Sequence, residues 1–192
     1  MSKNFFLIAA LFFLTVMSTA CGPGKKASAL SPVVAGETEV EVPLSEPEYR
    51  SDSEYWRAVQ NGVSKDLSMA KKIAMQNARQ ELASMVQHDV KAVIENYGKN
   101  ASIGFDSEKE GIYQELGRVV IDNQMNGVDL VGEKLYRLPD GSYRYHVCLQ
   151  ISRDALGSSL AEALSSDDRL MLEFDKARFM KIFEEEMSRY GE

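Results

Sequence analysis

The sequence predicts an α+β fold in which two helices, one of them long and alanine-rich, pack on a small antiparallel sheet. Between residues 66 and 97, apolar side chains recur every three or four positions, which indicates one long amphipathic helix. Two strand-like segments flank Pro139-Asp140-Gly141, a turn sequence that is typical of β-hairpins. A small sheet covered by helices accommodates both patterns.

The first strand is expected near residues 54–60, which contain aromatic and β-branched residues and end at Asn61-Gly62, a turn signal. With Ser64 as its N-cap, the long helix then covers residues 66–97. Three consecutive positions of its apolar stripe are alanines, so this part of the helix can lie close against a sheet. The stripe consists of Leu67, Ala70, Ala74, Ala78, Leu82, Val86, Val90, Val93 and Tyr97.

The rest of the chain adds a second helix over residues 108–125 and a hairpin of two strands, 128–138 and 142–152. The last strand alternates cleanly, as expected for an antiparallel strand with one buried face. One of its faces carries Tyr143, Tyr145, Val147, Leu149 and Ile151, and the other carries Arg144, His146, Cys148 and Gln150. We expect residues 53–166 to form the domain and residues 167–192 to form a C-terminal helical extension.

Residues 1–20 have the layout of a bacterial lipoprotein signal peptide. Lys3 precedes an apolar run without charge, and three small residues lead to Cys21. The run is short for a helix that crosses a bilayer, which needs about 20 apolar residues. Ser18 stands where such signals usually have leucine. We predict cleavage before Cys21 and acylation of this cysteine; the alternative is an ordinary secretory signal in which Cys21 has no role.

Residues 21–52 are interpreted as the lipidated cysteine and a flexible tether, because four of the five prolines lie there. Acyl chains on Cys21 would attach the protein to a membrane, since each buried methylene contributes about 0.8 kcal/mol. No later apolar run approaches the ~18 residues of a spanning helix. Gly22 follows Cys21 in place of the aspartate that retains lipoproteins in the inner membrane of some bacteria, so the outer membrane is the preferred location.

Composition limits the possible partners. Once Lys3 is removed with the signal, 21 Lys and Arg face 29 Asp and Glu, which leaves a net charge of −8. We expect no binding to nucleic acid, because contacts with phosphates require clustered positive charge. Cys148 is the only thiol left beside Cys21, so no internal disulfide is expected.

The sequence contains no recognisable catalytic or metal-binding motif, and we predict a protein without cofactor and without enzymatic activity. His88 and His146 lack neighbouring ligands at metal-site spacing and are interpreted as surface residues. Cys148 shares a strand face with His146, but nothing in the sequence indicates a lowered thiol pKa. We therefore interpret Cys148 as a small buried apolar residue.

Aromatic residues gather on the predicted sheet and form the one candidate interaction surface. Trp56, Tyr143 and Tyr145 are its candidate members, together with the neighbouring Tyr49 and Tyr55. Aromatic side chains on a sheet face form either a binding surface or a core. The alternative for all of them is packing beneath the long helix.

Over about residues 53–155 the chain resembles the Lpp-twenty family of bacterial envelope lipoproteins. The resemblance lies in the lipoprotein signal, in Ala58-Val59 before a glycine, in the alanine-stepped helix from Met69 to Val86, and in the hairpin around Asp140. It implies an α+β domain on the periplasmic or outer-membrane side, in a family without an established catalytic activity.

Together these features predict a membrane-anchored envelope lipoprotein that acts as a non-catalytic binding or assembly module. The membrane would be one partner, through the acyl chains on Cys21, and an envelope protein of unknown identity the other. Two alternatives stay open, namely a periplasmic hydrolase and a carrier of a small apolar ligand held between helix and sheet.

Overall fold

A computed structural model describes residues 40–100 and 105–189, and it confirms the α+β fold. The described elements are, in chain order, β1 (Tyr55–Ser64), α1 (Leu67–Lys99), α2 (Ser107–Gln124), β2 (Asp129–Arg137), β3 (Tyr143–Ser152), α3 (Arg153–Ser166) and α4 (Lys176–Ser188), with short 3₁₀ turns at Pro47–Tyr49 and Met125–Gly127. The three strands form one antiparallel sheet in the order β1-β3-β2. Strand β3 is therefore central, and β1 and β2 are edge strands.

Helix α1 covers one face of the sheet, which we call the inner face. Its alanines at positions 70, 74 and 78 are fully buried, and so are Leu82 and Val86 below them. Val147 and Leu149 of β3 project from the inner face into the same core. The small alanine side chains bring the helix close to the strands, as the stripe predicted.

Gly62 shows how close this approach is, and it corrects the predicted end of the first strand. Asn61-Gly62 is not a turn, because Gly62 lies within β1 and is paired with Tyr145 of β3. A Cβ atom on Gly62 would lie 2.5 Å from the carbonyl oxygen of Ala70 and 2.5 Å from the backbone nitrogen of Ala74. Glycine is required here so that helix and strand can meet.

The predicted N-cap of α1 was also wrong by two residues. Ser64 is the last residue of β1, and Asp66 caps the helix, since its carboxylate accepts a hydrogen bond from the Met69 N–H at 2.7 Å. Ser64 instead accepts a hydrogen bond from the backbone N–H of Asp66.

The predicted hairpin between β2 and β3 is confirmed. Gly141 adopts φ +83°, a conformation that glycine reaches without steric cost. The N–H of Gly141 donates to the Leu138 carbonyl, and the N–H of Leu138 donates to the Ser142 carbonyl at 2.8 Å. The Asp140 carboxylate accepts hydrogen bonds from the backbone and hydroxyl of Ser142. Near the start of β2, a shift in its register with β3 leaves Val131 as a β-bulge.

Residues after 166 contribute side chains to the same hydrophobic core as the earlier elements. Leu170 is buried in the turn before α4, and Phe179 of α4 is fully buried beside the Tyr97 ring of α1. The described residues from Val42 onward belong to one compact unit. The described residues 167–189 therefore pack as part of the domain, where the sequence suggested a separate extension.

The ordered unit also begins earlier than the predicted boundary at residue 53. Leu44 is buried and has a left-handed backbone conformation, with φ 57°. From there, residues 44–52, which we call the strap, cross the face of the sheet opposite α1, the outer face. The Tyr49 ring lies on Gly132, where a Cβ atom would be 2.5 Å from a ring carbon. The prolines that suggested a tether thus belong in part to a packed segment.

Cys21 and the rest of residues 1–39 lie outside the described residues, so the predictions of a signal peptide and of acylation stay predictions. Within residues 40–100 and 105–189, no helix is long and apolar enough to cross a membrane.

Candidate functional site

The two edges of the sheet differ in how they are covered. On β1, the Ser51 hydroxyl of the strap accepts a hydrogen bond from the Arg57 N–H at 2.8 Å and donates one to the Arg57 carbonyl. The backbone N–H of Asp52 donates to the Tyr55 carbonyl, and the side chain of Asn77 on α1 donates to the Asn61 carbonyl at 2.9 Å. These contacts close much of the β1 edge.

Strand β2 has no such cover from the residues that the structure describes. It pairs with β3 on one side, and no strand of the described residues pairs with its other side. Because Leu138 bonds to Ser142 across the hairpin, and because hydrogen bonding alternates along an antiparallel strand, Glu133, Leu135 and Arg137 direct their backbone N–H and C=O groups to the open side. Natural proteins usually protect such an edge.

The open edge also carries exposed apolar side chains. Leu135 is 46% exposed and Tyr136 is 43% exposed, and Leu130 and Val131 are exposed on the same strand. Single exposed apolar residues are common on protein surfaces, but four on one edge strand indicate a candidate interaction surface. We call residues 130–137 the β2 edge and take it as the candidate functional site.

Several contacts hold the side chains of the β2 edge in place. Glu133 accepts hydrogen bonds from the Tyr145 hydroxyl at 2.6 Å and from the Lys71 ammonium at 3.1 Å, and these two donors lower the pKa of Glu133. On the outer face, Lys134 pairs with Glu46 of the strap at 3.1 Å. The Tyr136 ring meets the His146 ring edge-on, with centroids 5.6 Å apart. These contacts fix the orientation of three side chains of the β2 edge.

The residues predicted from the sequence as an interaction surface lie elsewhere. Trp56 is 1% exposed and Tyr145 is 8% exposed, because both project from the inner face beneath α1, and Tyr143 is half-buried. Trp56 and Tyr145 therefore belong to the core, the alternative that the sequence left open. The open edge was missed because the strand order, and with it the identity of the edge strands, depends on contacts far apart in the chain.

Trp56 is the centre of a buried polar cluster. Its indole N–H donates to the Asp89 carboxylate at 2.6 Å, and the Arg153 guanidinium lies over the indole, 4.7 Å from the ring centroid. Arg153 also donates to the backbone carbonyl of Met187, at the end of α4, at 3.2 Å. The cluster ties β1, α1, α3 and α4 together. No local spacing in the sequence indicates it.

A cavity of about 420 Å³ opens beside this cluster. Trp56, Asp89 and Arg153 form its buried part, and His88 lies at its exposed rim. The remaining lining residues are Ser51, Ser84 and Met85. The cavity is large enough for a small apolar molecule.

Among the described residues, the two histidines and Cys148 do not form a reactive site. His88 lies on α1, whereas His146 projects from the outer face of the sheet, where burial and then the nearby Arg144 and Lys134 lower its pKa. Cys148 is fully buried, as interpreted from the sequence, and burial raises the pKa of its thiol to about 11. In the part of the chain that the structure describes, no group of three or more His, Cys, Asp or Glu could hold a metal ion.

No protein-family model matches the chain, and no curated protein does either. The resemblance to the Lpp-twenty family therefore stays a prediction.

Proposed function

We propose that this protein is a lipid-anchored, non-catalytic binding or assembly module of the bacterial envelope, attached through Cys21, with the outer membrane preferred over the inner membrane. The observation that carries the proposal is the β2 edge, an edge strand that pairs on one side only and carries exposed apolar side chains, in a sheet whose other edge is largely closed by the strap and by Asn77. The predicted lipoprotein signal and the family resemblance support the location.

The open edge suggests how a partner binds. A partner strand that pairs with β2 would use the outward backbone groups of Glu133, Leu135 and Arg137, which supply affinity without regard to sequence. The side chains of Leu135 and Tyr136 would then contact the partner on the two faces of the extended sheet. This mode of binding is β-strand addition.

The binding site is tested by photocrosslinking in intact cells. A photoreactive phenylalanine analogue replaces Tyr136 in the full chain, and the matched control carries it at Leu172, which is exposed in the turn between α3 and α4. We expect a specific protein adduct from position 136 and none from position 172. The absence of any adduct from position 136, in cells that contain normal amounts of the protein, contradicts the proposal.

The anchor is tested separately by replacing Cys21 with serine. The variant should lose acyl labelling and should no longer co-sediment with membranes, because serine offers no thiol for the lipid. Membrane attachment that persists unchanged contradicts the role of Cys21.

A second candidate function, the carrying of a small apolar ligand, is favoured by the cavity beside Trp56. Trp56 is the only tryptophan of the chain, so its fluorescence reports on that cavity alone. A medium-chain fatty acid that enters the cavity should change the emission in a saturable way. An emission spectrum that stays constant during titration contradicts the carrier function.

A further inference from the structure

The part of β2 beyond the bulge at Val131 carries opposite charges on one face. Glu133, Leu135 and Arg137 lie on the inner face, because they pair with Val147, Tyr145 and Tyr143 of β3. Lys134 and Tyr136 lie on the outer face, opposite His146 and Arg144. The inner row therefore reads acidic, apolar, basic.

Glu133 and Arg137 cannot pair with each other within one chain. They are four residues apart on an extended strand, a separation of about 13 Å. The Arg137 side chain is exposed and makes no hydrogen bond or ion pair with any described residue. Glu133 is already held by Tyr145 and Lys71, and it offers its second carboxylate oxygen to a further donor.

We propose that β2 pairs with β2 of a second copy of this chain, antiparallel and in a register centred on Leu135. This proposal rests on the proposed function and names the partner of the same site. The register places Glu133 of each copy opposite Arg137 of the other, which forms two ion pairs across the junction. Leu135 of one copy then lies opposite Leu135 of the other.

The backbone supports this register. Glu133, Leu135 and Arg137 all direct their N–H and C=O groups outward. Each of them can therefore form backbone hydrogen bonds only with a residue of the second copy whose N–H and C=O groups also point outward. Centring on Leu135 joins these residues in three opposed pairs, with about six backbone hydrogen bonds. The bulge at Val131 limits the pairing to the segment that follows it.

Other registers either oppose like charges or lose the ion pairs between Glu133 and Arg137. Centring on Glu133 places the two glutamates opposite each other, and centring on Arg137 does the same with the arginines. Centring on Lys134 opposes the two lysines, and centring on Tyr136 leaves Arg137 opposite Leu135. Like charges directly opposite each other destabilise a strand pair.

The outer face fits the same arrangement. Lys134 of one copy lies opposite Tyr136 of the other, so its aliphatic stem can pack on the ring while its ammonium keeps the ion pair with Glu46. The pairing is two-fold symmetric and uses both open edges, which joins two three-stranded sheets into one and leaves outside only the β1 edges, which the strap and Asn77 close in large part. The assembly therefore stops at a dimer.

The experiment is disulfide crosslinking of the full chain in its own membranes. Leu135→Cys places two thiols opposite each other, about 5.5 Å apart at Cα, which is within the range that a disulfide spans. The native Cys148 is buried and does not compete. Mild oxidation should give an adduct of twice the chain's mass that contains this chain alone, and the control Leu172→Cys should give none.

A charge reversal tests the register. Arg137→Glu in the Leu135→Cys chain opposes two carboxylates at each end of the junction, so we expect at least a tenfold loss of the adduct. The matched control Arg144→Glu changes an exposed arginine on the central strand and should leave the yield unchanged. Because Arg137 makes no hydrogen bond or ion pair with the described residues, the melting curve followed by Trp56 fluorescence should not move.

The outcomes separate the two proposals. An adduct that Arg137→Glu abolishes and Arg144→Glu preserves supports self-pairing. A chain that sediments as a monomer in mild detergent and gives no adduct overturns it. If position 135 yields no dimer while the photoreactive group at position 136 captures a different protein, self-pairing is overturned and the binding module stands. If neither position captures anything, both proposals fall.

Discussion

Among single residues, Trp56 illustrates how one hydrogen bond allows an aromatic side chain with a polar group to be buried in the core. Its indole N–H would carry a desolvation cost beneath α1 if it lacked an acceptor. Asp89 supplies that acceptor from the helix, and both groups are buried. The pair therefore stabilises the junction between β1 and α1, and Trp56 is not available to a partner.

We predict that Asp89→Ala lowers the free energy of unfolding by about 1–3 kcal/mol, because it leaves a buried indole N–H without its acceptor. The measurement is urea unfolding followed by the fluorescence of Trp56. Glu81→Ala, an exposed change on the same helix, serves as control and should stay within about 0.5 kcal/mol of the native value. Equal effects of the two changes would contradict a special role of Asp89.

Cys148 should be almost inert towards thiol reagents. Burial raises the pKa of its thiol from 9.0 to about 11, so at pH 8 the reactive thiolate is about a hundredfold rarer than in an unfolded chain. In the Cys21→Ser protein, Cys148 is the only thiol, and its reaction with a disulfide reagent should begin only on unfolding in urea. Rapid reaction in the native protein would show that the strap does not cover it.

Among the elements, the contact between α1 and β1 depends on small residues on both sides. The helix contributes its alanines, and the strand contributes Gly62, whose backbone lies directly against that of Ala70 and Ala74. Backbone atoms cannot move aside as a flexible side chain can. This contact is therefore intolerant of added volume.

Two glycine-to-alanine changes should have opposite effects. Gly62→Ala should lower the free energy of unfolding by about 1–3 kcal/mol, because the new methyl group meets the backbone of α1. Gly111→Ala lies within α2 with open space around it and should raise the free energy by about 1 kcal/mol, since alanine favours a helix. Thermal unfolding measures both, and a loss of similar size in the two variants would contradict the close approach at Gly62.

The two edge strands, β1 and β2, differ in how their free backbone groups are covered. The strap and Asn77 satisfy outward backbone groups of β1, whereas no described strand pairs with the free edge of β2. The β1 edge is thus largely covered, whereas the β2 edge keeps backbone groups that a further strand could pair with.

In the whole molecule, the strap makes the outer face of the sheet part of the folded unit. Tyr49 lies on Gly132, the Arg50 carbonyl accepts a hydrogen bond from Arg57 at 2.6 Å, and Glu46 pairs with Lys134. A three-stranded sheet with one helix-covered face would otherwise expose Cys148 and Gly132 to water.

Tyr49→Ala should loosen the strap without unfolding the rest. The ring supplies the contact with Gly132, and its loss should increase the rate at which trypsin cleaves after Arg50, which is exposed. Mass spectrometry of the early fragments follows the reaction. Tyr136→Ala, on the same face of the sheet but at its open edge, should leave that rate unchanged, and equal cleavage in both variants would contradict the role of Tyr49.

Local sequence patterns were sufficient to predict the main helices and strands, but they were insufficient to predict the β2 edge as the candidate site. The alanine stripe and the Pro139-Asp140-Gly141 turn predicted α1 and the hairpin correctly, because helix period and turn chemistry depend on neighbouring residues. The pairing of β1 with β3, by contrast, joins Tyr55 to Ser152, and nothing near either residue specifies the other. That pairing made β2 an edge.

The chain by itself determined the type of each main element and which face of β3 packs beneath α1, since both depend on a period that can be read from adjacent residues. Only the tertiary structure decided that Trp56 lies in the core, that the strap belongs to the domain and that the β2 edge is open. The physical reason is the same in each case: burial and edge exposure depend on which distant segments meet, and the contact between Asp89 and Trp56 or between Tyr49 and Gly132 leaves no trace in local spacing.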